Sequence, residues 1–145
     1  MNALELMHKD HQELKEMLGR VDDVTSVGGR EHLLEKIRSE LVAHERMEEE
    51  VFYPALKSHK KAREIVLEGL EEHHVVDVIL DELLDVPPET ELWAAKMKVL
   101  KENLEHHIEE EEGEMFRKAR SVLERDELEE LGRRMKKVKE EARGT

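Results

Sequence analysis

Cysteine is absent from this chain of 145 residues. That excludes disulfides, thiolate metal sites and cysteine-held iron–sulfur clusters, so any metal must be held by nitrogen and oxygen donors. Aromatic residues make up 3 % of the sequence, too few to build stacking platforms for bases. No apolar run approaches the roughly 18 residues that a membrane span needs. The amino terminus, Met1 to His8, has neither the basic stretch nor the apolar run of a secretion signal, and cytoplasmic residence is the expectation. Only three prolines and seven glycines interrupt the chain, so long unbroken elements are expected.

What is present is charge. Asp, Glu, Lys and Arg make up 42 % of the residues, with a net charge of −13. That balance argues against nucleic acid and against anionic membrane surfaces as partners. A chain rich in Glu, Lys and Leu and poor in β-branched and aromatic residues reads as all-helical. Nine histidines is a high number for this length, and their placement carries the functional reading.

Apolar residues recur at spacings of three and four along four stretches. The first is Leu4, Met7, His11, Leu14, Leu18, followed by a loop near residues 20–30 marked by Asp22-Asp23 and Gly28-Gly29. The second is Leu34, Ile37, Leu41, His44, Glu48, Val51, ending at Pro54; a short polar segment reaches to about Lys61. The third is Val66, Leu70, His73, Val76/Asp77, Leu80, Leu83/Leu84, stopped by Val86-Pro87-Pro88, with Pro88 suited to the first turn of the next helix. The fourth is Trp93, Met97, Leu100, Leu104, His107, Glu111, Met115, continuing towards Val122. Long helices joined by short connections predict an up-down-up-down four-helix bundle over residues 1–123. Within the same domain, residues 124–145 add a short C-terminal fifth helix. Its apolar positions Leu128, Leu131, Met135 and Val138 offer a docking face to the bundle or to a second copy of the chain, the latter giving a homo-oligomer.

Each stripe places a histidine where a core residue belongs: His11, His44, His73 and His107. Two have a glutamate four residues on, one helical turn along the same face: His44/Glu48 and His107/Glu111. His73 has Asp77 at that spacing. With a rise of about 1.5 Å per residue, the four positions are compatible with one layer near the middle of an antiparallel bundle. A lone core histidine is more often structural than ligating, but four in one layer beside carboxylates is a different case. Charged groups inside an apolar stripe need compensation, and bound cations supply it. Four imidazoles with two or three carboxylates exceed the needs of one ion and fit a dinuclear site, bridged by carboxylates, with ions on the order of 3.5–4 Å apart. Imidazole and carboxylate suit iron, manganese or zinc. Glu49, Glu50, Glu109 and Glu110 read as solvated, and His8, His32 and His59 as surface residues. In His73-His74 and His106-His107, about 100° apart on a helix, only one of each pair faces inward.

These residues resemble the hemerythrin family, in the form of the HHE cation-binding domain, over roughly residues 3–123. The matching motifs are Asp10-His11, His44-x3-Glu48 leading into Phe52-Tyr53-Pro54, Glu72-His73, and His107-x3-Glu111 leading into Phe116. The resemblance implies a non-haem di-iron centre with Glu48 and Glu111 as bridging carboxylates and His11, His44, His73 and His107 as terminal ligands. It also implies O2, a peroxide or another small diatomic molecule as the partner. Two positions depart from the oxygen carriers of the family. A fifth histidine expected four residues after His73 is Asp77 here, which changes the charge at that iron or leaves the position to water. The acid on the fourth helix stands five residues after the histidine in those carriers, at Glu112 in this numbering, whereas Glu111 repeats the geometry of Glu48. The expectation is therefore oxygen binding, sensing or peroxide handling rather than oxygen carriage. Competing readings are a ferritin-like site using Glu5-x2-His8 and Glu71-x2-His74, and an iron-holding, structural or regulatory bundle whose metal is zinc or absent.

Overall fold

Helix starts in this chain are written in side chains that accept from otherwise unpaired backbone amides. Asn2 caps α1 (Ala3–Gly19) through a reciprocal pair with Glu5, at 2.9 and 3.0 Å. Ser26 caps α2 (Val27–Met47) by accepting from Gly29 N at 3.1 Å. Thr90 caps α5 (Glu91–Glu110) by accepting from Trp93 N at 3.2 Å. Glu124 and Glu127 form the reciprocal pair at the start of α7 (Arg125–Ala142). The computed structural model describes residues 1–144; Thr145, the last residue of the expected tail segment, lies outside the described residues. Among the described residues there are helices and turns and no strand. No helix is long and apolar enough to cross a membrane.

Three boundaries differ from the sequence reading. The Gly28-Gly29 pair belongs to the first turn of α2 rather than to a loop, because Ser26 starts the helix before them. Pro88 lies in the turn closed by Thr90 N and Pro87 O, one step before α5. Pro54 does not end its helix. A π-helical turn, Glu48–Phe52, precedes α3 (Tyr53–Lys57), with Pro54 in the first turn of α3. The wider turn bonds Tyr53 N to Glu48 O, five residues back, and loosens the ladder where the ring and missing amide of a proline would otherwise disrupt it. The same device recurs after α5: a π-helical turn, Glu111–Met115, closes Phe116 N onto Glu111 O and leads into α6 (Phe116–Val122). The remaining long helix is α4 (Lys60–Leu83).

The apolar interior is split in two. One cluster holds Met7, Met47, Phe52, Tyr53, Val66, Met115 and Phe116; the other holds Leu14, Leu41, Val76, Leu80, Trp93 and Leu104. In α1, α2, α4 and α5 the inward histidine marks the crossing from one cluster to the other. Along α1 and α4 the chain leaves the first cluster and enters the second; along α2, and along α5 continued through its π-helical turn into α6, it runs the other way. A buried polar layer thus cuts the core across its middle.

Helix α7 closes over α1, α2 and the first π-helical turn. Leu128, Leu131 and Met135 join the first core cluster. Gly132 permits the approach: a β-carbon there would stand 2.5 Å from the Met1 carbonyl oxygen. Of the two docking partners expected for this face, the bundle or a second copy, the structure shows the chain's own bundle.

Candidate metal centre

Inside the polar layer, six side chains converge. His11, His44, Glu48 and Glu111 bring one ligand atom each within 4.8 Å of one another, and Glu48, His73, His107 and Glu111 do the same. The two glutamates belong to both groups, and all six residues are buried. Each glutamate turns one oxygen to each side. Glu48 Oε2 lies 3.3 Å from His44 Nε2, and its Oε1 lies 2.9 Å from His73 Nε2. Glu111 Oε1 lies 2.8 Å from His11 Nε2 and 3.9 Å from His44 Nε2, while Oε2 lies 3.3 Å from His107 Nε2.

All four rings present Nε2 inward because a carboxylate holds each Nδ1 from behind. His11 Nδ1 donates to Glu112 at 2.6 Å, His44 Nδ1 to Asp10 at 3.0 Å, His73 Nδ1 to Glu49 at 2.8 Å and His107 Nδ1 to Glu72 at 2.6 Å. This is the arrangement that fixes the tautomer and orientation of a metal-ligating imidazole. Each acid neighbours a ligand in sequence but serves a histidine on another helix, so the four helices are cross-tied through the site.

The protein's own groups do not satisfy this centre. His44 Nε2, His107 Nε2 and Glu48 Oε2 are fully buried and have no hydrogen-bond partner among the described residues. Leaving such atoms unpaired is costly, and a cation between them removes the cost. Four imidazole nitrogens and four carboxylate oxygens form a donor set suited to metal binding.

Electrostatics in the metal-free protein fit the same picture. Burial opposes an imidazolium at each of the four rings, yet the facing carboxylates outweigh it. His11 is raised, His73 is raised to about 9, and His44 and His107 are raised well above the ordinary range. Burial would raise Glu111 too, but the His107 charge and hydrogen bonds inside the cluster hold it well below the carboxylate norm.

A family model for the hemerythrin HHE cation binding domain matches residues 2–119. The chain belongs to that family. Among curated relatives, the Mycobacterium tuberculosis (strain H37Rv) protein Rv2633c and the Mycobacterium bovis protein Mb2666c, both described as uncharacterized, are each 32 % identical, with 100 % of this chain and 89 % of theirs covered. A crystal structure of a hemerythrin HHE cation-binding domain-containing protein, the Rv2633c homolog from Mycobacterium kansasii, superposes with a TM-score of 0.87 at 29 % identity. It covers 99 % of this chain and 88 % of that one. Among its described residues this HHE-domain chain is all-helical, with buried His/Glu groups suited to metal binding.

Of the seven sequence-selected residues, the structure brings together His11, His44, Glu48, His73, His107 and Glu111, and leaves Asp77 outside. Asp77 is exposed. It shares a hydrogen bond with Glu45, which burial and that bond push up to about 9 against the pull of His73. On the His73/His107 side the structure places Tyr53 instead. Its buried hydroxyl donates to Glu111 Oε2 at 2.6 Å and lies 3.4 Å from His73 Nε2. Burial and the Glu111 and Glu48 charges push the phenol well above its usual range, so it keeps its proton beside the metal-free cluster. Periodicity misses Tyr53 because an α-helix sets residues four apart in line; the π-helical turn sets Tyr53 over Glu48, and Phe116 over Glu111, at a spacing of five. Gly69 leaves room for the phenol, since a β-carbon there would meet its oxygen at 2.9 Å.

Glu49 is exposed, as expected, yet it also holds His73, a role that sequence reasoning missed along with those of Asp10, Glu72 and Glu112 behind the rings. The signal for them was an acid directly beside a ligand on each of the four helices. His74 is exposed, and Glu112 lies behind His11 rather than between the two groups. Glu5, His8, Glu71 and His74, the ferritin-like pairs, all lie on exposed faces, which removes that alternative.

Proposed function

We propose that this chain is a non-haem di-iron protein that binds O2 or a peroxide at a carboxylate-bridged centre. One observation carries the reading: two buried His2Glu2 groups share both of their glutamates, each glutamate offering one oxygen to either side. In this reading His11 and His44 hold one ion, His73 and His107 hold the other, and Glu48 and Glu111 reach both. Tyr53 places its hydroxyl on the His73/His107 side. The alternating order in which helices cross from one core cluster to the other supports an up-down-up-down bundle as the scaffold.

When bound there, a pair of iron ions would supply two-electron redox chemistry towards dioxygen or a peroxide. The chain's own residues do the rest. Glu112, Asp10, Glu49 and Glu72 keep each Nδ1 protonated and each Nε2 lone pair aimed inward. Leu14, Val51, Val76, Leu80 and Leu104, all buried, wall off water. Tyr53 holds a proton at its hydroxyl, 2.6 Å from Glu111, within reach of an oxygen species in the layer.

The test is the absorption spectrum of anaerobically Fe(II)-loaded protein before and after air or hydrogen peroxide, with oxidant consumption followed in parallel. A new charge-transfer band and consumption of oxidant are expected. Tight iron binding with no spectral response to either oxidant would leave an iron-holding or structural bundle and overturn the oxygen reading.

A further inference from the structure

Three of the four carboxylates behind the rings reach solvent, and one does not. The side chains of Glu112, Glu49 and Glu72 are 24 %, 42 % and 26 % exposed. Asp10 is 4 % exposed, in the region that α7 covers. A carboxylate closed off from water is expensive unless a cation is buried with it. Helix α7 provides one. Lys139 is itself buried, and its Nζ donates to Asp10 Oδ1 while Asp10 Oδ2 accepts from His44 Nδ1 at 3.0 Å. His44 Nε2 then faces Glu48 and Glu111 at 3.3 and 3.9 Å. A continuous polar line thus runs from α7 through α1 and α2 into the centre.

Lys139 sits one turn beyond Met135 on the inward face of α7, where a helix serving only as a cover would carry another apolar residue. One turn further, Arg143 pairs with Glu40 of α2 and pins the end of the same helix. The position is therefore committed to charge by its surroundings.

We propose that Lys139 is a positioning residue of the metal centre: through Asp10 it fixes the orientation and charge of the His44 imidazole, which makes the C-terminal helix part of the His11/His44 metal site. The inference rests on the metal-centre reading above. An ionised, immobilised acceptor at Nδ1 raises the basicity of Nε2 and holds the ring plane towards the ion. Without a cation at 139, Asp10 loses one of its two partners and the fixed rotamer that aims it at His44.

The test uses the full chain as wild type, Lys139→Gln, Lys139→Met and Lys139→Arg, loaded anaerobically with Fe(II) in competition with a chromophoric chelator. Thermal unfolding is followed with and without metal. Wild type is expected to bind two ions. The Gln and Met variants are expected to bind one with unchanged affinity and the other roughly 10–100-fold more weakly. Arg is expected to restore the loss, and Asp10→Asn added to Lys139→Met to deepen it little, since both act on one line. Should the Met variant fail to fold, the polar, uncharged Gln variant decides alone. Two ions held at wild-type affinity in the folded variants, with equal stability changes in the metal-free and loaded forms, would overturn the inference and leave Lys139 as an anchor for α7. Absence of bound ions in wild type would overturn the metal-centre reading with it, a distinct outcome.

Discussion

The two halves of the centre are alike at the ligands and unlike one step away from them. Each half has two imidazoles, one oxygen from each shared glutamate, and an aromatic ring brought inward five residues after a shared glutamate by a π-helical turn. On the His73/His107 half that ring is Tyr53, stacked near His73 at 5.4 Å, with its hydroxyl in the cluster. On the His11/His44 half it is Phe116, 6.4 Å from His11, with no polar atom to offer. Behind the rings the contrast reverses: the His11/His44 half carries the sealed Asp10–Lys139 pair, whereas the acids behind His73 and His107 reach solvent. A near-duplicate first layer can thus yield two unequal metal positions, one given a phenol and one given a buried cation. In the proposed two-ion reading, inequivalence of this kind would favour one position for ligand binding, because the hydrogen bonding and charge around a site tune the metal it holds.

The largest effect is expected where the halves are joined. Glu48→Ala or Glu111→Ala removes a donor from both groups and should reduce tightly bound iron from two ions per chain to none, measured by metal analysis after gel filtration. Removing one imidazole separates the halves: His44→Ala and His107→Ala should each retain a single ion, with different spectra of the residual site. Next come the aromatic pair. Tyr53→Phe makes the halves alike and should keep two ions while weakening one roughly 10-fold and shifting the charge-transfer spectrum; the reciprocal Phe116→Tyr should move the spectrum without restoring it. Gly69→Ala drives a β-carbon against the Tyr53 oxygen and Met115 at 2.9 and 3.2 Å. It should destabilise the fold by about 1–3 kcal/mol and disturb only the His73/His107 half. The smallest effect belongs to His59→Ala, outside both groups, which should leave metal content unchanged.

The pH dependence sharpens the comparison between free and loaded protein. The ring pKa values are raised on folding, His73 from 6.5 to about 9. The stabilisation they bring to the metal-free protein is full below about 6.5 and is lost as pH rises through about 9. Metal binding must displace those ring protons, so affinity should run the other way, rising across the same interval. Unfolding midpoints of the metal-free protein that increase from pH 6.5 to 9 would contradict the assignment of protons to the rings.

How much of this was legible beforehand follows from periodicity. The inward histidines and the two His-x3-Glu pairs obey the spacing of an α-helix, so the six converging residues could be read from the chain. Tyr53 and the continuation past Pro54 could not, because both depend on an extra residue in a π-helical turn that shifts the register from four to five. Asp77 was chosen on α-helical spacing after His73, yet that face of α4 looks outward by the time it reaches residue 77. The cross-tying of Asp10 to His44 and Glu72 to His107 is a property of neighbouring helices, invisible in any one stripe. The apolar face of α7 was legible; its burial on the chain's own α1 and α2 needed Gly132, whose missing side chain admits the Met1–Ala3 backbone.

The central claim is that two ions share Glu48 and Glu111, and an anaerobic Fe(II) titration of the metal-free chain against a competing chelator tests it most directly. The account predicts saturation at two equivalents per chain in wild type and loss of both in Glu48→Ala. Saturation at one equivalent or none, or a Glu48→Ala variant that still fills two sites, would contradict it.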